Sequence, residues 1–337
     1  MADLQTEYLG LKLANPLVPS ASPLSKDLAH AKRLEDAGAP AIVMYSLFEE
    51  KIAAEQQHLL RFFYQQSLGH AEAESFHPMP DRFKSYHETY LEQLQQLKQG
   101  LSIPVIASLN GSSLGGWMEY ARDLQQAGAD ALELNIYHLP ADSEQDSQGI
   151  ESHYLNIVSA VRNHIDIPLT VKLSPQFSSP LNFAKQLEAA GADGISLFNR
   201  FYQADIDLET LNIVPRLELS SSSESLLRIR WAALLHGRTH MSLAVTGGFH
   251  QVPEILKALL AGADVVHLCS VLLKAGPDHL SRVLQELSDW LDAHEYQSVA
   301  QLKGSVSYRN AINPSAYERA NYLDVLDSYT PSQGVWW

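Results

Sequence analysis

Lys172 stands in Leu169-Thr170-Val171-Lys172-Leu173, an ammonium among apolar neighbours. Burying such a group without an anionic partner is costly. One reading turns the side chain into an open strand end to hold a negative charge; the other lets it snorkel to outer solvent. A second constellation is Thr246-Gly247-Gly248 with Cys269-Ser270, each following an apolar run. Bare glycine backbone lets N–H groups approach phosphate oxygens, and Val271-Leu272-Leu273-Lys274 supplies a short helix whose N-terminus favours an anion. A Gly-Gly pair alone is more often a turn; its place after a seventh strand favours phosphate. Glu133, Asn135 and Asn199 lie at the ends of two further runs, where amides either orient a heterocycle or cap the strand. Tyr137 and His138 follow at once, and a histidine, with its ordinary pKa of about 6.5, is a candidate proton acceptor. The chain has 14 histidines, most of which belong to the surface.

These residues need a scaffold that brings strand ends together, and a recurring phrase predicts one. A helical stretch, then Gly-Ala-Asp or a variant, then a short apolar run appears at Gly38, Gly128, Gly191 and Gly262. Glycine can end a helix in the left-handed conformation, and the apolar run suits a strand covered on both faces. Strands are expected at Leu17 to Ala21, Ala41 to Ser46, Pro104 to Leu109, Ala131 to Ile136, Leu169 to Leu173, Ile195 to Phe198, Leu243 to Thr246 and Val265 to Leu268. Helices alternate with them, the first capped by Ser25 and a later one opened by Ser179-Pro180. The reading is an α/β fold, a (β/α)₈ TIM barrel with long loop insertions after strands 2 and 6. Residues 1–305 form the barrel and 306–337 a C-terminal tail that packs on the barrel or on a partner. The first insertion holds a loop from Gln65 to Arg82; the second runs from Arg200 to about Ser225, its serines at 220–223 flexible on composition.

The formal charge of −15 argues against nucleic acid, which needs clustered Lys and Arg. Cys269 is the only cysteine, so the chain has no internal disulfide and holds no iron–sulfur cluster of its own; a reducing cytoplasm fits. Neither a signal peptide nor a run of transmembrane length is present, so no membrane role is expected.

From about Tyr8 to Ser305 the chain resembles the class 1 dihydroorotate dehydrogenase family, in its dihydroorotate dehydrogenase-like branch. The resemblance rests on Asn15-Pro16-Leu17, Pro104-Val105-Ile106-Ala107, Glu133-Leu134-Asn135, Val171-Lys172-Leu173, Thr246-Gly247-Gly248, Leu273-Lys274-Ala275-Gly276-Pro277 and Tyr296-Gln297-Ser298-Val299. It implies FMN across the barrel mouth, with Ala21, Ser22, Ser46, Ser108 and Asn135 along the flavin. Lys172 would meet the N1/O2 edge, and Gly247, Gly248, Cys269 and Ser270 the phosphate. It also implies oxidation of a carbon–carbon single bond in a dihydropyrimidine-like substrate, pyrimidine biosynthesis, and either a homodimer or pairing with an electron-acceptor protein.

The departures bear on the substrate. His138 stands where the family has its cysteine or serine base, Tyr45 where it has a second-strand lysine, and Glu74-Ser75-Phe76-His77-Pro78 where it has Asn-Ser-Met-Gly-Leu. Pro140 stands near an expected asparagine, and the serine run at Ser220 displaces a Gly-Gly contact. Asn135, Asn199, Tyr45 and His77 are therefore the expected substrate contacts, and His138 with Lys172 the catalytic pair. Two other readings stay open: a flavin barrel acting on tRNA uridines, opposed by the acidity and the missing loop cysteine, and an FMN-binding electron-transfer or interaction module that has lost dihydroorotate turnover.

Overall fold

The computed structural model describes residues 2–67, 84–111 and 113–330. The expected contact His77 and the tail's Trp336 and Trp337 lie outside the described residues. Strands β1 (Thr6–Tyr8) and β2 (Leu11–Leu13) make an antiparallel hairpin. The strands that follow are β3 (Leu17–Pro19), β4 (Ile42–Val43), β5 (Leu47–Phe48), β6 (Val105–Asn110), β7 (Ala131–Asn135), β8 (Leu169–Leu173), β9 (Gly194–Leu197), β10 (Asp205–Asp207), β11 (Asn212–Val214), β12 (Ser242–Thr246) and β13 (Val265–Leu268). Eight of them form one parallel sheet in the order β3-β13-β12-β9-β8-β7-β6-β4, with β5 a further short pairing on β6. Because the first two strands, β3 and β4, end the row and approach each other, the sheet nearly closes into a (β/α)₈ barrel.

Helices α1 (Leu28–Asp36), α2 (Glu49–Ser67), α3 (Tyr86–Gly100), α4 (Leu114–Gln126), α5 (Ser147–Arg162), α6 (Pro180–Ala189), α7 (Ser225–Leu235), α8 (Val252–Ala261), α9 (Ser270–Ala275) and α10 (Asp278–Ala293) accompany the strands. The glycines of the recurring phrase, Gly38, Gly128, Gly191 and Gly262, have φ of 99°, 100°, 100° and 114°, the region that a side chain disfavours. The hairpin closes the end of the barrel opposite the strand termini. Tyr8 is fully buried there, its hydroxyl donating to Thr170 Oγ1 at 3.4 Å.

Three local expectations are corrected. Ser25 does not cap the first helix: Ser22 opens a 3₁₀ turn over Pro23–Lys26, and Asp27 caps α1 by accepting from the N–H groups of Ala29 and His30. Ser25 Oγ instead accepts from the Tyr45 N–H at 2.7 Å, which takes that donor out of the sheet and splits the second strand into β4 and β5. The serines at 220–223 are ordered, not loose: Ser220 is buried, and Ser222–Glu224 form a 3₁₀ turn. The rest of that insertion holds the hairpin β10–β11.

The tail after 305 lies on the barrel for part of its length. Val306 and Tyr308 donate their N–H groups to Leu260 and Ala233, and Arg230 holds the Tyr317 carbonyl. A last helix, Ala320–Asp327, leaves Tyr322, Leu323, Val325 and Leu326 exposed. Among the described residues no helix is long and apolar enough to cross a membrane.

Candidate active site

Above the strand ends opens a cavity of about 500 Å³. Its floor is a continuous hydrogen-bonded chain. Asn199 Nδ2 donates to Asn135 Oδ1 at 2.5 Å, Asn135 Nδ2 to Ser46 Oγ at 3.4 Å, and Ser46 Oγ meets Ser108 Oγ at 2.8 Å. Four residues predicted from separate strands are thus joined from β6 to the end of β9. Ala21, Ser22, Tyr45 and Lys172 also line this cavity.

One wall is aromatic and electropositive. Tyr45 packs edge-on against Tyr90, whose hydroxyl donates to the Tyr45 carbonyl at 2.6 Å. Burial, with the neighbouring Tyr86, pushes the Tyr45 phenol up to about 12; burial raises Tyr86 as well. Both therefore stay protonated donors. Lys26 Nζ lies 5.3 Å from the Tyr45 ring centre, and Lys51 Nζ lies 5.6 Å from that of Tyr86. Both ammonium groups belong to residues lining the cavity, within cation–π range.

The other end narrows into a pocket of about 80 Å³ lined by Gly247, Gly248, Cys269 and Ser270, which shares Ala21, Lys172, Asn199 and Tyr202 with the larger cavity. Ser220 is its centre. Gly248 N–H donates to Ser220 Oγ at 3.2 Å, Ser220 Oγ to Ser270 Oγ at 2.9 Å, and Lys274 Nζ to the Ser220 carbonyl at 3.0 Å. Behind the loop, buried Arg228 donates from Nε to the Thr246 carbonyl. Burial raises the Cys269 thiol, against the pull of Lys172, so this sulfur is a neutral wall.

Lys172 turns into the barrel mouth and is only 7% exposed. Its Nζ stands 3.5 Å from Glu133 Oε1. Glu133 is fully buried, and His267 Nδ1 is 4.0 Å from its other oxygen. Burial, reinforced by Lys172, pushes His267 down to about 3, so its ring is neutral.

His138 is placed elsewhere. Its Nε2 lies 3.4 Å from Gln145 Oε1, and it lines a small separate cavity with Ile150, Tyr154 and Phe177. Tyr137, its neighbour, faces the mouth. The sequence reading missed Lys26, Lys51, Tyr86, His267 and the structural role of Ser220. The first three sit in helical segments without a motif, but the apolar run Val265-Val266-His267-Leu268 carried the same signal that singled out Lys172.

The two joined cavities suit an elongated ligand with a planar head and an anionic tail. Hydroxyls and glycine backbone line one end, a cation and amides the middle, aromatic rings the other. Among the described residues no group of three or more His, Cys, Asp or Glu is arranged to hold a metal ion.

Known proteins resemble this chain over most of its length. The chain is 25% identical to the dihydroorotate dehydrogenase B (NAD(+)) catalytic subunit of Thermoplasma acidophilum, over 90% of this chain and 99% of that protein. It is 26% identical to the dihydroorotate dehydrogenase A (fumarate) of Lactobacillus helveticus, over 64% and 72%. It is also 25% identical to the B-type catalytic subunit of Listeria monocytogenes, over 90% and 98%. The family profile described as dihydroorotate dehydrogenase matches residues 82–291, and the chain belongs to that family.

Proposed function

We propose that this protein is an FMN-dependent oxidoreductase acting on a CH–CH bond of a dihydropyrimidine-like substrate, nominally dihydroorotate. One observation carries the reading: the amide-floored mouth and the glycine–serine pocket share Lys172 and Asn199, so a ring and a phosphate fit one continuous site. Ala21, Ser22, Ser46, Ser108 and Asn135 would line the ring, with Lys172 at its charged edge. Gly247, Gly248, Cys269 and Ser270 would hold the phosphate, joined by Ser220. When bound, FMN supplies the two-electron acceptor that the side chains lack.

Asn135, Asn199 and Tyr45 would orient the substrate, together with His77. Tyr45, kept protonated, offers a donor in place of the family's lysine. His138 is the proposed proton acceptor. Its ring faces Gln145 and must turn over the mouth to act. His138→Ala should slow flavin reduction by about 100-fold or more; an unchanged rate removes it from the chemistry. A cytoplasmic homodimer, or a pair with an electron-acceptor protein, is the proposed assembly, since relatives include NAD(+)-linked catalytic subunits.

A second reading, a flavin-holding module that docks on a partner, draws on the exposed Ile206, Leu208, Leu211 and Ile213 of the β10–β11 hairpin. Anaerobic titration separates the two. Bleaching of a yellow protein by dihydroorotate or another dihydropyrimidine supports the enzyme, and a yellow protein bleached by none supports the module. A colourless protein that refuses FMN overturns both.

A further inference from the structure

The proposed reaction leaves unused a group of polar side chains beneath the mouth. Glu133 on β7 is fully buried, and neither of its oxygens has a hydrogen-bond partner among the described residues. A carboxylate so placed is retained only with a countercharge close by. His267, from β13, is 4.0 Å away and neutral. Tyr8 closes the space below His267, edge-on with ring centres 5.8 Å apart. Tyr90, on α3, feels the Glu133 charge but keeps its proton, its phenol raised mainly by burial. Cys269, beyond β13, is a protonated thiol. Lys172 on β8, at 3.5 Å, is thus the one cation that faces Glu133 among the described residues.

We infer that Glu133 is a positioning residue that, from inside the barrel, holds the Lys172 side chain fixed at the floor of the mouth. Its effect on a bound ring passes through Lys172. That second half rests on the flavin reading above; the first does not.

Two measurements test it. The first uses the full chain without added flavin and follows acylation of Lys172 by acetic anhydride at pH 8, read by peptide mass. Glu133→Gln removes the counter-ion, releases the side chain from its buried hold and should speed labelling about tenfold. Glu133→Asp, which keeps the charge but withdraws it, should give a smaller rise and serves if the Gln variant fails to fold. His267→Gln should stay within twofold. Unchanged labelling in the Glu133 variants, or an equal rise in His267→Gln, overturns the inference.

The second measures the midpoint potential of the FMN-loaded protein. Glu133→Gln should shift it negative, in the direction of Lys172→Met, and should add nothing on top of Lys172→Met. A positive shift would mean that the carboxylate acts on the ring directly and would overturn the inference. Failure to load FMN sinks the functional reading alone, and labelling then decides the role of Glu133.

Discussion

At the Gly247-Gly248 end of the mouth the walls are backbone and small hydroxyls, knitted through Ser220 to Ser270 and Lys274. At the Tyr45-Tyr86 end they are long side chains from separate elements: Lys26 from a 3₁₀ turn, Lys51 from α2 and Tyr86 from α3. Under the proposed reading, the contrast follows from what each end would meet. A phosphate has one shape and one charge, so fixed N–H geometry serves it. Long side chains on separate elements can be exchanged one at a time on a rigid barrel, without disturbing the backbone at the other end.

The largest expected effect breaks the backbone end. A Cβ on Gly248 would lie 2.4 Å from Ser225 N and 2.9 Å from Glu224 C, at a φ of +91°. These are backbone atoms and cannot swing aside. Gly248→Ala should cost about 3 kcal/mol from overpacking and strain, read as a lower Tm and weaker FMN retention. Gly115→Ala is the control: that glycine is exposed on α4, with nothing within 4 Å of the added carbon. It should gain up to about 1 kcal/mol. Equal behaviour of the two variants would show that the Gly248 loop yields freely.

Between the ends lies the floor they share, and its weak point in acid is His267. Its folded pKa, about 3, lies below the unfolded value of about 6.5, so the unfolded chain takes up the proton first. Stability is then complete above about pH 6.5 and falls as pH drops toward 3. Between pH 7 and 5 the loss is about 2 kcal/mol. Denaturant unfolding of wild type and His267→Leu at both pH values checks this: the variant should lack that share of the acid loss. An identical pH slope would place the acid sensitivity elsewhere.

Legibility in the sequence follows the same division. The barrel was readable because four αβ joints turn through a left-handed residue, and glycine spells that need locally at Gly38, Gly128, Gly191 and Gly262. The floor amides were readable because strand ends converge in any such barrel, which placed Asn135 beside Asn199. Ser25 misled because a serine before a helical run looks like a cap; its hydroxyl serves Tyr45, 20 residues away. Ser220 misled for the opposite reason, since composition cannot show that a buried partner waits at Ser270. Lys26 and Lys51 carry no local signal, because what makes them notable is a ring brought beneath each by the fold.

The smallest expected effect tests that side-chain wall. Lys26 and Lys51 are exposed, and a cation over a ring at such a site contributes about 0.5–1 kcal/mol. If the wall recognises an anionic group, Lys26→Met and Lys51→Met should each raise KM for a carboxylate-bearing dihydropyrimidine by about two- to fivefold. Neither should move kcat by more than about twofold, because uniform binding alone is lost. KM for a neutral analogue of the same ring should hold, and raised salt should erase the difference between wild type and variant. An equal rise for charged and neutral substrates would assign the lysines to packing against Tyr45, Phe48 and Tyr86, the rings their ammonium groups overlie. The electropositive wall would then carry no specificity, and discrimination would fall to the floor amides and the phenols of Tyr45 and Tyr86.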